Sequence, residues 1–447
     1  MPRYSKTQHQ QLFILLISVM GYIATYLFNC FLTRHMLPNN YGAISAAISL
    51  LNILGTLSLI GTDTTSKKYL AKYLFNNETS HTHHFLHWSL RLLLKNSLLL
   101  IIIDIFLIAS IFLIEHLAQA YHPRLYITFF FILFSPFSAC ILLISAYFSS
   151  LQRNMLATFT ENSALNVFLL GIACLFLINP VYTFGIKPVF VFYGISYIIL
   201  SIITVITCYY FYQKKKVELF KYWNQTIPNQ LRSSWLKSSL KIALFNMTTV
   251  IIIQSDILIL FTSSFFIHDY KHAHQTALFA VANVISQAMW LIVSNSYNAV
   301  APLTSSHFND TQKCQHLNRV ILKSTLTGIP ITLGMFVIIV FFGHVFLNHF
   351  GSQFTSAYTT LIILCVSPLA YMLLGYSSNG LKYTGHEDSA LKISICSLVI
   401  FYILCPILTV MYGMVGTAIS DVIIWLIIGI ASNITLQRKT NIRSWGC

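Results

Sequence analysis

The residues best suited to chemistry in this sequence are a few acids inside long apolar runs. Asp104, Asp256 and Asp421 lie inside three such runs, and Asp63 closes another. A charge at the bilayer centre costs roughly 2.5–3.5 kcal/mol on insertion scales, so intramembrane acids face a bundle interior or an aqueous cavity. Asp104, Asp256 and Asp421 are therefore the candidates for coupling to H+ or Na+. The alternative is that each bonds to a neighbouring helix.

Polar side chains, amides among them, recur at helical spacing in the first, second and eighth apolar runs. Asn52 stands in the second run, and Asn283 and Gln287 stand four residues apart in the eighth. Such spacing places polar groups on one helix face. The stripes either join helices, as small polar residues commonly do, or line a water-filled cavity between two halves of the chain. The predicted cavity residues are Asn29, Asn52, Asp63, Gln254, Asp256, Asn283, Gln287, Asn295 and Asn298.

The composition excludes a soluble domain. Hydrophobic residues make up 56% of the 447, and only 9% are charged, against about 25% charged in soluble domains. A spanning helix needs about 20 mainly apolar residues. Twelve segments qualify, and an even number puts both termini on one side. The predicted spans are 11–33, 41–61, 95–115, 125–148, 163–180, 188–212, 241–265, 276–300, 322–347, 355–378, 390–411 and 414–436.

The distribution of Lys and Arg predicts the orientation. With the N-terminus in the cytoplasm, 23 of the 27 basic residues fall on inward segments, as the positive-inside rule requires. Both termini are therefore predicted to be cytoplasmic. The net charge of +15 is then explained by topology and contact with lipid headgroups, and no nucleic-acid partner is expected.

The longest polar stretch divides the chain into two halves of six spans each. Ser135-Pro136 and Ser367-Pro368 occupy matching places in them, which predicts parallel repeats related by an axis along the membrane normal. The predicted domains are an N-terminal bundle at 1–212, a basic cytoplasmic linker at 213–240, a C-terminal bundle at 241–437 and a tail at 438–447. The outward loops are short and hold no catalytic motif, so we expect no enzyme, no metal site and no cofactor.

Two stretches resemble the polysaccharide flippase family, whose superfamily also contains the multidrug and toxic compound extruders (MATE). Leu32 to Gly42, reading LTRHMLPNNYG, is similar to the family's junction between spans 1 and 2. Gln254 to Leu260, reading QSDILIL, is similar to its span 7 motif. The resemblance implies a MATE-like fold of two bundles and alternating access between them.

The resemblance also implies a substrate. It would be a polyprenyl-diphosphate-linked oligosaccharide, such as an O-antigen or similar unit used in lipopolysaccharide biosynthesis. The protein would carry it across the bacterial inner membrane, with the polysaccharide-assembly machinery as a further partner. The family commonly places cations in the cavity, whereas this sequence has no Lys or Arg deep in a span. The side chains expected to capture the diphosphate at entry or exit are Arg34, Lys67, Lys68, Arg91 and Arg153.

The main alternative is a cation-coupled exporter of drugs or metabolites from the same superfamily. Span 1 carries no carboxylate, which disfavours that function, although Asp256 could serve as its coupling site. Neither the sugar, the coupling ion nor the oligomeric state follows from the sequence.

Overall fold

A computed structural model describes residues 2–76, 78–118, 123–177, 185–214, 228–266, 270–298, 300, 304 and 311–440. Residues 215–227 of the predicted linker and 441–447 of the predicted tail lie outside this part. The described residues form helices joined by short connections, without a β-strand among them.

Twelve helices are long and apolar enough to cross a membrane, which confirms the predicted fold class. We number them spans 1 to 12 in chain order. Their bounds are Phe13–His35, Pro38–Leu59, Thr79–Ser110, Thr128–Ser150, Asn154–Leu175, Lys187–Lys214, Asn229–Ser263, His274–Tyr297, Leu317–Phe350, Ser352–Leu373, Glu387–Tyr412 and Met414–Lys439.

Three helices extend well beyond the predicted spans. The helices Thr79–Ala118, Asn229–Phe266 and Thr311–Phe350 contain 38 to 40 residues. At 1.5 Å per residue each is about 60 Å long, roughly twice the 30 Å hydrocarbon thickness. Hydropathy marks only the lipid-embedded part of a helix, so the predicted starts at 95, 241 and 322 fall well inside the helices.

An aromatic cluster at the inner end of spans 3 and 7 explains two of these extensions. Trp235 is fully buried against Tyr73, Phe85 and Trp88. Its indole Nε1 donates a hydrogen bond to the Tyr73 hydroxyl at 3.0 Å. Burial raises the pKa of Tyr73, so the phenol stays neutral. The early turns of both helices are thus fixed by packing outside the lipid-embedded segments.

The described chain divides into two compact units. The first consists of Met1–Phe28 and Ala43–Val250, and the second of Asn29–Gly42 and Ile251–Cys447. Span 1 and span 7 therefore each contribute residues to both units. The boundaries predicted at 212 and 241 stay a prediction.

The Ser135-Pro136 and Ser367-Pro368 pairs stand at different places in their helices. In the first unit the chain turns at Leu133 and Phe134, and Pro136 stands in the first turn of the helix Ser135–Ser150. In the second unit Pro368 lies inside the helix Tyr358–Leu373. Proline suits a first helical turn because its missing N–H would have no partner there, whereas inside a helix it removes one backbone bond.

Candidate functional site

Two carboxyl groups meet in the second unit. Asp256 of span 7 and Asp421 of span 12 are 5% and 6% exposed, and their side chains hydrogen-bond to each other. Two ionised carboxylates cannot share a hydrogen bond, because neither has a proton to donate. A hydrogen bond at this contact therefore needs a proton on one of the two groups, and the contact brings together two residues that the sequence predicts independently.

Hydroxyl and thiol groups from other helices complete this cluster. Ser367 Oγ of span 10 donates to Asp421 Oδ2 at 2.7 Å, and the indole of Trp425 bonds to the same carboxyl group. Cys405 Sγ of span 11 lies 3.9 Å from Asp256 Oδ1 and donates to it. Every one of these side chains is buried.

Prolines and a tight turn place the supporting groups. Ser367 and Cys405 each precede a proline inside a helix, where the missing N–H leaves a carbonyl without its usual partner. Span 11 ends at Gly413, and the hydroxyls of Thr409 and Thr417 bond across that turn at 2.8 Å. The Ser367 hydroxyl, the Cys405 thiol and the two carboxyl groups therefore lie together inside an apolar bundle.

Asp104 is the third predicted coupling acid, and it stands alone. It is 1% exposed in span 3 of the first unit, and neither of its carboxyl oxygens has a hydrogen-bond partner within the described part of the chain. An ionised carboxylate without donors is strongly disfavoured in an apolar bundle. Asp104 therefore fits the structure as a neutral acid.

The amide side chains of span 8 are partly or fully exposed. Gln287 is exposed and Asn283 is partly exposed, although both lie within the apolar span His274–Tyr297. Asn295, also partly exposed, donates from Nδ2 to the Leu291 carbonyl at 2.8 Å. The exposure of Gln287 favours the cavity alternative over the helix-joining one, and the choice between them stays a prediction. The side chain of Asn298 lies outside the described residues.

The remaining predicted cavity residues are divided between the units. Asn52 of span 2 belongs to the first unit and is partly exposed. Asn29 and Gln254 belong to the second unit and are also partly exposed, and Asn29 accepts a hydrogen bond from the Tyr41 hydroxyl at 2.8 Å. That these amides line one shared chamber stays a prediction.

Asp63 takes part in a short polar chain in the first unit. Thr64 Oγ1 donates to Asp63 Oδ2 at 3.1 Å, and Asn246 Nδ2 donates to Thr64 Oγ1 at 3.0 Å. The turn that positions them needs Gly61, whose φ is +72°. A Cβ at Gly61 would lie 2.5 Å from the Ser239 carbonyl oxygen. Close packing of backbones thus holds this part of span 7 against the end of span 2.

Four of the predicted diphosphate-capturing cations are exposed at the inner ends of first-unit helices. Lys67 pairs with Glu161 at 3.3 Å. Lys68 lies over the Tyr69 ring at 5.7 Å, and the Arg153 guanidinium lies over the Phe211 ring at 5.1 Å. The fourth is Arg91, on the inner part of span 3.

Arg34 does not belong to this group. It lies in the second unit at the outer end of span 1, where its Nε donates to the His349 carbonyl at 2.8 Å. His349 is in the last turn of the helix Thr311–Phe350, where carbonyl groups lack helical partners and favour a cation. The structure thus gives Arg34 a structural contact.

Sequence reasoning did not identify several of these groups. Glu161 lies just before the predicted start of span 5 at 163, and Ser367 was noted only as half of a Ser-Pro repeat. Cys405 and Thr409 resemble ordinary small core residues. Only the structure shows that Cys405 donates to Asp256 and that Thr409 bonds to Cys405 and Thr417. Within the described ranges, His, Cys, Asp and Glu form no group of three that could hold a metal ion.

Solved structures of MATE transporters have the same fold. One, described as the inward-facing conformation of a multidrug resistance MATE family transporter of the MOP superfamily, has a TM-score of 0.73 at 14% identity, covering 96% of this chain and 98% of that chain. A MATE in complex with MaD3S has a TM-score of 0.67 at 15% identity, with 96% and 94% covered. A Vibrio cholerae MATE transporter has a TM-score of 0.58 at 14% identity, with 98% of both chains covered. The protein is thus a multi-pass membrane protein with the MATE fold.

The sequence itself identifies the family within that fold. Residues 10–308 match the family described as polysaccharide biosynthesis protein. The chain belongs to this family, and the predicted resemblance to the polysaccharide flippases of the superfamily is confirmed. No curated protein matches the chain by sequence.

Proposed function

We propose that the protein is a flippase. It moves a polyprenyl-diphosphate-linked oligosaccharide from the cytoplasmic to the outer leaflet by alternating access, in a bacterial inner membrane. The observation that carries the proposal is the group of exposed cations at the inner ends of the first unit. Ammonium and guanidinium groups form strong charge-assisted bonds with phosphate oxygens, and the family match supports a polysaccharide-linked cargo.

The exposed amides give the cargo a path. Gln287 would be costly facing hydrocarbon, where no water satisfies its donors and acceptor, so its exposed face fits an aqueous surface. Neutral amides suit the hydroxyl groups of an uncharged sugar. In the proposed cycle the isoprenoid tail stays in lipid while the sugar-diphosphate head leaves Lys67, Lys68, Arg91 and Arg153 and passes the amides outward.

The carboxyl pair is proposed as the coupling site. Asp256 and Asp421 together can release their shared proton and accept a cation in its place. The two carboxylates and the Ser367 hydroxyl supply oxygen ligands, which suit a hard cation such as Na+. Loss of the proton leaves two buried negative charges, so exchange for a cation keeps the bundle close to neutral.

Reconstitution tests the flippase function. The full-length protein in liposomes would be supplied with a fluorescent polyprenyl-diphosphate oligosaccharide on one side, and lectin or quencher access would report transfer between leaflets. We expect transfer to depend on the protein and to fall when Lys67, Lys68, Arg91 and Arg153 are replaced together by Gln. Transfer equal to that of empty liposomes would refute the proposal. In the host, deletion should leave lipid-linked oligosaccharide on the cytoplasmic leaflet.

The buried carboxyl pair also suits a second function, cation-coupled export of drugs or metabolites. The two functions differ in cargo. Increased drug accumulation after deletion, without accumulation of lipid-linked oligosaccharide, would favour the exporter. Docking with a polysaccharide-assembly machinery is proposed only for the flippase.

A further inference from the structure

One cation of the inner group already holds an anion. Lys67 Nζ lies 3.3 Å from Glu161 Oε2, and the Ser145 hydroxyl donates to the same oxygen at 3.0 Å. The Lys67 and Glu161 side chains are 39% and 38% exposed. The pair is therefore formed where an incoming solute can reach it.

Both partners stand on unusual backbone. Lys67 lies in the π-helical turn Ser66–Leu70 and Glu161 in the π-helical turn Phe159–Ser163. These are the two π-helical turns within the described part of the chain. Such turns are rare and occur frequently at functional sites. The first one also carries Lys68, the next residue along the chain, which is exposed like Lys67.

The chemistry of the pair resembles that of a substrate complex. A carboxylate and a phosphate oxygen are equivalent partners for an ammonium group. Glu161 carries a single charge, whereas a diphosphate carries at least two and so attracts the Lys67 ammonium group more strongly. Because an exposed ion pair is weak, a diphosphate can replace Glu161. The displaced carboxylate keeps its hydrogen bond from Ser145.

We propose that Glu161 is a specificity-determining residue that occupies Lys67 until a diphosphate displaces it. Less highly charged competitors, such as a polyprenyl monophosphate or a phospholipid headgroup, displace it less readily. The inference rests on the proposed function, because it assigns the selectivity of the same inner capture site.

Binding of two lipids that differ by one phosphate tests this role. The purified full-length protein would be titrated with polyprenyl diphosphate and polyprenyl monophosphate of equal chain length. We expect Glu161→Gln to strengthen monophosphate binding about twofold to fivefold and diphosphate binding less, so that the preference for diphosphate falls. Glu161→Asp, which keeps the charge on a shorter side chain, should lie between. Glu78→Gln is the matched control, because Glu78 pairs with His81 at 3.0 Å in the same unit.

A double mutant separates this role from a general change of charge. In a Lys67→Met background, Glu161→Gln should leave the ratio of the two affinities unchanged. The inference is wrong if Glu161→Gln changes the ratio of the two affinities no more than Glu78→Gln does. It is also wrong if Glu161→Gln changes that ratio equally in the wild-type and Lys67→Met backgrounds. In either case the proposed flippase function still stands. If wild-type protein binds neither lipid in a Lys67-dependent manner, both the proposed capture site and this inference fail.

Discussion

In the proposed coupling site, a proton shared by Asp256 and Asp421 would make one side chain decisive. An Asn at position 421 could still accept from Ser367 and donate to Asp256, but it could not take up or release a proton. A site built from two acids would then lose its exchangeable charge. The same reasoning applies to Na+, because an amide oxygen is neutral.

We predict that Asp421→Asn folds but no longer responds to an imposed ion gradient. Flipping in proteoliposomes should fall to the rate measured without a proton or Na+ gradient. Asp388→Asn, the same change at an exposed position in the first turn of span 11, should behave as wild type. A gradient response preserved in Asp421→Asn would remove the carboxyl pair from coupling.

Asp104 permits a different test, because neither of its oxygens has a hydrogen-bond partner within the described residues. Replacing an acid that fits the bundle only when neutral removes no hydrogen bond. We predict that Asp104→Asn leaves the thermal midpoint within about 2 °C of wild type, as measured by loss of tryptophan fluorescence in detergent. A large fall would show that Asp104 is bonded and structural. An intact midpoint with lost gradient response would assign it a coupling role.

At the scale of elements, hydropathy predicted the twelve spans because the lipid-embedded part of each helix is mainly apolar. It could not predict the inner parts of spans 3 and 7. These depend on Trp235 packing against Tyr73 and Phe85, residues about 150 positions away along the chain. The Lys67–Glu161 pair was missed for the same reason, since its partners are 94 residues apart.

Gly61 holds the end of span 2 against span 7. We predict that Gly61→Ala destabilises the protein by about 2–4 kcal/mol, because a non-glycine residue at positive φ costs about 1–2 kcal/mol and the new Cβ would displace the Ser239 backbone. Thermal unfolding of the purified protein measures the change. Gly171→Ala is the control, because nothing lies within 4 Å of its added Cβ. Equal midpoints for the two variants would contradict the packing described here.

At the scale of the whole molecule, the amides of both units should act on one cargo. We predict that Asn52→Ala combined with Gln287→Ala reduces flipping while protein abundance stays normal, because each variant removes hydrogen bonds to the sugar. Asn76→Ala with Gln437→Ala removes two exposed amides at helix ends, one in each unit, and should have no effect. Unchanged flipping in the first double mutant would remove Asn52 and Gln287 from the path.

Spans 1 and 7 each contribute residues to both compact units, so one cut in the chain does not separate the two units. A protease cut between 215 and 227 would sever the chain without removing Asn229–Val250 from the first unit or Asn29–Gly42 from the second. The N-terminal fragment would still contain a segment of the second unit, and the C-terminal fragment a segment of the first. The nicked halves should therefore co-purify through size exclusion in mild detergent, and their separate elution would contradict this reciprocal exchange.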